Sequence, residues 1–117
     1  MSVETELYTV LKVLCARTFP DFAPVTTARP YVTYQAIGGE SLRFLDNTTH
    51  SHRDTLMQIN VWAGSRLDAL ALTRQIEDAL CASAVFVARP QGEPVSDFDA
   101  DIPVYGCRQD FLIFSPR

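Results

Sequence analysis

The stretch from Pro30 to Leu80 constrains the fold most, because its hydrophobic period changes twice. Tyr31 to Ile37 is rich in β-branched and aromatic residues, which suit a strand that ends at Gly38-Gly39. A polar segment from Glu40 to Ser51 follows, with a turn at Asp46-Asn47-Thr48-Thr49. Leu56 to Trp62 then alternates strictly. Met57, Ile59 and Val61 share one face and Gln58 and Asn60 the other, the period of a half-buried strand. Gly64-Ser65 breaks that period, and Ser65 with Asp68 three residues on is a helix start. The helix is expected to run to about Cys81, with Ala69, Leu72, Ile76, Ala79 and Leu80 facing the core. Leu67 and Leu70 widen the stripe, which predicts cover on more than one side.

The flanks add further elements. Ser2 caps a helix starting at Val3, with Glu4 and Glu6 where carboxylates favour the helix dipole. Val3, Leu7, Val10, Leu11 and Leu14 form its apolar face, and it must fail before Phe19-Pro20. Asp21 to Arg29 is expected to be an irregular connection. Ala84 to Ala88 suits a short strand, and Arg89 to Pro103, with three prolines and Glu93, Asp97, Asp99 and Asp101, a loop. A last strand, Val104 to Phe114, carries Tyr105, Cys107, Phe111 and Ile113 on one face. Two helices and at least four strands predict an α+β fold, a mostly antiparallel sheet with both helices on one face. Its 117 residues suffice for one domain, 1–117.

Composition narrows function. A hydrophobic content of 47% beside 21% charged residues excludes wholesale disorder. The net charge of −4, with scattered basic residues, weighs against nucleic acid as main partner. The N-terminus shows no signal-peptide pattern and no apolar run is long enough to span a bilayer, so the chain is expected in the cytoplasm. Cys15, Cys81 and Cys107 are dispersed and odd in number, as fits reduced thiols buried in the core.

Catalytic and metal chemistry find little support. His50-Ser51-His52 with Asp54 has strand spacing for a shared metal, but no further histidine exists to complete a site. Asp97-Phe98-Asp99-Ala100-Asp101 opens like a calcium loop, yet Ile102 stands at the glycine position and Arg108 at the closing glutamate. There is no nucleophile elbow and no phosphate-binding loop. The expectation is therefore no catalytic residue, no metal and no cofactor. Trp62 is expected in the core or an interface, and Tyr31 and Tyr34 on opposite faces, one of them exposed or in a contact.

Three stretches together carry a resemblance. Pro30-Tyr31-Val32-Thr33-Tyr34-Gln35, then Arg53-Asp54 leading to Gln58-Ile59-Asn60-Val61-Trp62-Ala63, then Ser65-Arg66 before Asp68-Ala69-Leu70-Ala71-Leu72, look like the tail-completion, or tail-terminator, proteins of long-tailed phages and prophages. The resemblance implies a non-enzymatic subunit of a six-fold ring that caps the head-proximal end of the tail tube. Such a ring stops tube polymerisation and prepares head joining. Its partners would be further copies of itself, the tail tube protein and the head-tail connector protein, first in the host cytoplasm and then in the virion tail. The alternatives are another neck protein of the head-completion type, a general protein-interaction domain, or a small dimeric α+β enzyme. A closed ring needs two different complementary patches per subunit. The expected pair is Arg43, Phe44 and Leu45 against the acidic segment Asp97, Phe98 and Asp99 of a neighbour.

Overall fold

A computed structural model describes residues 2–39, 45–46 and 51–116. Eight elements follow in the order α1 (Val3–Leu14), β1 (Thr18–Pro20), β2 (Tyr31–Gly38), β3 (His52–Ala63), α2 (Arg66–Cys81), β4 (Val87–Pro90), β5 (Val95–Asp99) and β6 (Val104–Pro116). The strands form one six-stranded sheet, ordered β1-β2-β3-β6-β4, with β5 also paired to β6. Only β1, parallel to β2, departs from antiparallel pairing. The fold is α+β, as expected.

Both helices begin at the expected residues for the expected reason. The Ser2 hydroxyl accepts the Thr5 N–H, and the Ser65 hydroxyl accepts that of Asp68, each at 3.2 Å. Each bond satisfies an N–H that the first helical turn leaves without a partner. Leu7 and Leu11 of α1, with Ala69, Ile76 and Leu80 of α2, press on one face of the sheet. That face presents Val32 and Tyr34 from β2, Met57, Ile59, Val61 and Ala63 from β3, and Cys107, Phe111 and Ile113 from β6. Alternation alone selects these residues, since successive strand side chains point to opposite faces. One polar side chain joins them. The buried Gln109 donates through Nε2 to Glu77 at 2.7 Å and to the Gly92 carbonyl at 2.9 Å, fastening α2 and the β4–β5 turn to β6.

The elements depart from expectation mainly at the sheet edges. The connection after α1 contains β1, a three-residue strand beside Val32–Tyr34. Because β1 stops at Pro20, opposite Tyr34, β2 is an edge strand from Gln35 onward, and Ala36 is exposed. The short strand lies at 87–90, not 84–88, and the expected loop from Arg89 to Pro103 includes the whole of β5. β4 and β5 pair with consecutive lengths of one side of β6, so together they act as one broken edge strand. Prolines and carboxylates are common on such edges, which is why the segment lacks a strand's composition. Leu67 is 78% exposed, so α2 is covered on one side only. Cys15 and Cys107 are buried, but Cys81 is exposed.

Between Ala36 and Gly38 the β2–β3 register shifts by one residue, which marks a bulge. Gly39 follows with φ +121°, and a Cβ there would run into the backbone of Asp54 to Leu56. No helix is long and apolar enough to cross a membrane among the described residues.

Candidate functional site

With both helices on one face, no helix among the described residues covers the opposite face of the sheet, here called the open face, and its chemistry is concentrated at one end. In antiparallel pairs, residues directly opposite share a face. Tyr31 lies opposite Trp62, Trp62 opposite Gly106, and Gly106 opposite Asp97. These four residues therefore make one row across β2, β3, β6 and β5 on the open face. Gly106 has no side chain, and the indole of Trp62 lies over the space. A Cβ at Gly106 would sit 2.7 Å from Trp62 Cζ3 and 2.8 Å from Cε3. Asp99, opposite Val104, falls on the same face as Asp97.

Phe98 points the other way. It pairs with Tyr105, their ring centroids 4.9 Å apart, and the Arg66 guanidinium lies 5.6 Å from the centre of the Tyr105 ring. The expected patch Asp97-Phe98-Asp99 is thus divided by strand geometry, with carboxylates on the open face and the phenyl ring on the helix side. Locally, Asp97 Oδ1 accepts the Phe98 N–H at 2.8 Å. Asp99 Oδ1 accepts that of Asp101 at 3.0 Å and that of Ile102 at 3.4 Å, shaping the turn into β6.

The turn after β1 completes this end. Asp21 has φ 63°, left-handed geometry that its short polar side chain tolerates. The conformation is held by its N–H, which donates to the Tyr34 carbonyl at 2.8 Å, and by the Phe22 N–H to the Pro20 carbonyl at 2.7 Å. Phe22 is left 78% exposed. Asp21, Phe22, Tyr31, Thr33, Asn60 and Trp62 line an open cavity of 340 Å³. Sequence reasoning passed over Asp21 and Phe22. The available signal was a phenylalanine set between Pro20 and Pro24 in an otherwise polar connection.

Leu45 is fully exposed, and Arg43 and Phe44 lie outside the described residues. β2 ends and β3 begins at the far end of the β3–β6 pair, where His52 is opposite Pro116. Ten residues of β6 separate Pro116 from Gly106, about 33 Å at the rise of an antiparallel strand. The connection bearing Leu45 and the acidic strand β5 therefore attach at opposite ends of a molecule measuring 52 × 25 × 25 Å.

The remaining candidates stay apart. His52 stacks on Phe114 at 4.6 Å, with Nδ1 2.9 Å from the Ser51 hydroxyl, and His50 lies outside the described residues. No group of three or more metal-ligating side chains occurs among the described residues. Partial burial, with Glu77 and Asp78 nearby, raises the Cys81 thiol above its ordinary pKa and so keeps it protonated. A cavity of 540 Å³ between the helices is lined chiefly by Leu14, Pro30, Ala63 and Leu72, and the Arg29 guanidinium at its rim donates to the Pro103 carbonyl at 2.6 Å.

What this open, aromatic and acidic face belongs to is decided by comparison with known families. The family described as Tail completion protein gp17 matches residues 4–101, from α1 through β5. The chain belongs to that family. It is a phage tail assembly protein, in agreement with the resemblance carried by the β2, β3 and α2 sequences. No curated protein shows significant similarity to the chain. The matched span stops short of β6, although β6 is the strand that joins β3 to both β4 and β5.

Proposed function

We propose that this tail completion protein assembles as a six-fold ring on the head-proximal end of the tail tube, ends tube polymerisation and prepares the tail for head joining. Membership of a tail completion family is the observation that carries the proposal. The polarity of the subunit supports it. A ring is built from heterologous contacts, which need two unlike surfaces on each copy. The connection holding Leu45 and the strand holding Asp97 and Asp99 are unlike in chemistry and attach at opposite ends of the β3–β6 pair.

In this arrangement Arg43, Phe44 and Leu45 of one copy meet β5 of the next. Opposite charges set the register, and the apolar side chains supply the buried area. The other partners are the tail tube protein and the head-tail connector protein, met in the host cytoplasm and retained in the virion tail. The function is structural, with no reaction assigned to it.

Native mass spectrometry over a wide concentration range, with negative-stain imaging of the same samples and of samples mixed with tail tubes, tests the proposal. Six-membered rings, free or on tube ends, are the expected result, and Phe44→Asp or Leu45→Asp should prevent them. A stable dimer with no ring under any condition would overturn the ring. Rings unaffected by both substitutions would overturn the pairing alone.

A further inference from the structure

We infer that the Trp62 end of the open sheet face is a receptor for an arginine side chain supplied by a second copy of this chain. The cavity there has the chemistry that recognises a large, weakly hydrated cation. Three aromatic residues, Phe22, Tyr31 and Trp62, line it together with Asp21. Aromatic faces attract a guanidinium through the ring quadrupole, and a carboxylate at the rim adds direct charge pairing. The Asp21 side chain has no hydrogen-bond or ion-pair partner among the described residues. Its left-handed backbone turns the chain so that Phe22 joins the same lining.

The acidic field extends beyond the cavity. Asp97 ends the row that begins at Tyr31, and Gly106 allows the Trp62 indole to lean over β6 towards it. Asp99 is on the same face. Among the described residues, the one cation at this end of the face is Arg108, opposite Asn60 one strand beyond the cavity, and it is not part of the cavity lining. Three carboxylates against one guanidinium leave the surface net acidic.

The occupant is identified by which arginines are uncommitted. Arg17 and Arg29 donate to backbone carbonyls, Arg66 lies over Tyr105, and Arg74 faces Glu93. Arg43 and Arg117 lie outside the described residues; of the others, apart from Arg108 at the receptor end itself, Arg53 and Arg89 are exposed and carry no such contact among the described residues. Both lie towards the other end of the strand pair. Arg89 is opposite Leu112, on the free edge of the sheet, six residues of β6 from Gly106, or about 20 Å. Arg53 is nine residues of β3 from Trp62, about 30 Å. Neither reaches its own cavity, but each can reach that of a second copy, with Arg89 the better placed on its exposed edge. For the source of the arginine this inference rests on the ring proposed above. The chemistry of the cavity does not.

Trp62 is the only tryptophan in the chain, so its emission reports on this site directly. The probe is N-acetylarginine amide, with N-acetylcitrulline amide as the neutral control of nearly equal shape. Expected is a saturable change in Trp62 emission with the arginine probe and none with citrulline. Asp21→Asn should weaken the response by about tenfold, as loss of the rim charge requires. An equal response to both probes, or no response to either, would overturn the receptor while leaving the ring intact. The source is tested in assembly assays with Arg89→Asp, Arg53→Asp and the paired exchange Arg89→Asp with Asp21→Arg. Loss of assembly in one of the single variants supports the second copy, and recovery in the exchange supports it through Arg89. Unchanged assembly in both single variants would overturn the second copy as the source. Circular dichroism of each variant separates misfolding from a lost contact.

Discussion

The indole of Trp62 lies across Gly106 on the neighbouring strand, within 2.8 Å of where a β-carbon would stand. One residue without a side chain thus sets where the only tryptophan of the protein rests. This contact organises the open face, because it turns the ring towards Asp97 while leaving its other side to the cavity with Tyr31 and Phe22.

Gly106→Val is expected to lift the indole into water. Overpacking of this kind typically costs about 1–3 kcal/mol. Tryptophan emission should shift to the red and the thermal midpoint should fall, while far-ultraviolet circular dichroism stays close to wild type. An unmoved emission maximum would show that the ring does not rest on Gly106.

Gln109 is the buried polar tie between β6, α2 and the turn before β5. Gln109→Leu keeps the volume but leaves the Gly92 carbonyl and the Glu77 carboxylate without their donor. The expected loss is about 1–3 kcal/mol, read as a lower urea midpoint at constant slope. Because Gly92 sits between β4 and β5, amide exchange in β5 should quicken more than in β3.

Ser65→Ala removes the acceptor for the Asp68 N–H at the start of α2. Loss of about 1 kcal/mol is expected. Ser65→Asp should retain most of that stability, since a carboxylate both caps the helix and favours its dipole. Urea denaturation of the three proteins provides the comparison.

Tyr34 gives the protein an alkaline limit. Burial raises its phenol above the ordinary value of 10.0, and Glu4, Tyr8 and Asp21 add to the effect. The folded state therefore holds the proton more tightly than the unfolded chain does. The resulting stabilisation is complete below pH 10 and is lost as pH climbs from there through the folded value. Wild type should thus lose stability above pH 10 more steeply than Tyr34→Phe. Parallel curves for the two proteins would remove Tyr34 as the cause.

The elements with a strong period were legible from the order of residues alone. α1, β3, α2 and β6 follow from 3.6-residue or two-residue alternation, and their core positions at Leu7, Ile59, Ile76 and Phe111 come with that alternation. Ser2 and Ser65 mark helix starts because capping is a local bond. The opposite facing of Tyr31 and Tyr34 is equally local, since three residues along a strand always reverse the side. The family resemblance was legible for the same reason, as it lay in β2, β3 and α2.

Only the tertiary structure decided which edge segments become strands and which distant residues meet. β1 and β5 lack strand composition because an edge is paired on one side and wetted on the other, so Pro20, Asp97 and Asp99 are tolerated there. Their pairing depends on β2 and β6 already being in place. The division of Asp97 and Asp99 from Phe98 follows from that pairing. The gathering of Asp21, Phe22, Tyr31 and Trp62 likewise depends on a turn packed beside strands far along the chain. Local periodicity is written in neighbouring residues, whereas the register that builds a surface exists only once distant strands have paired.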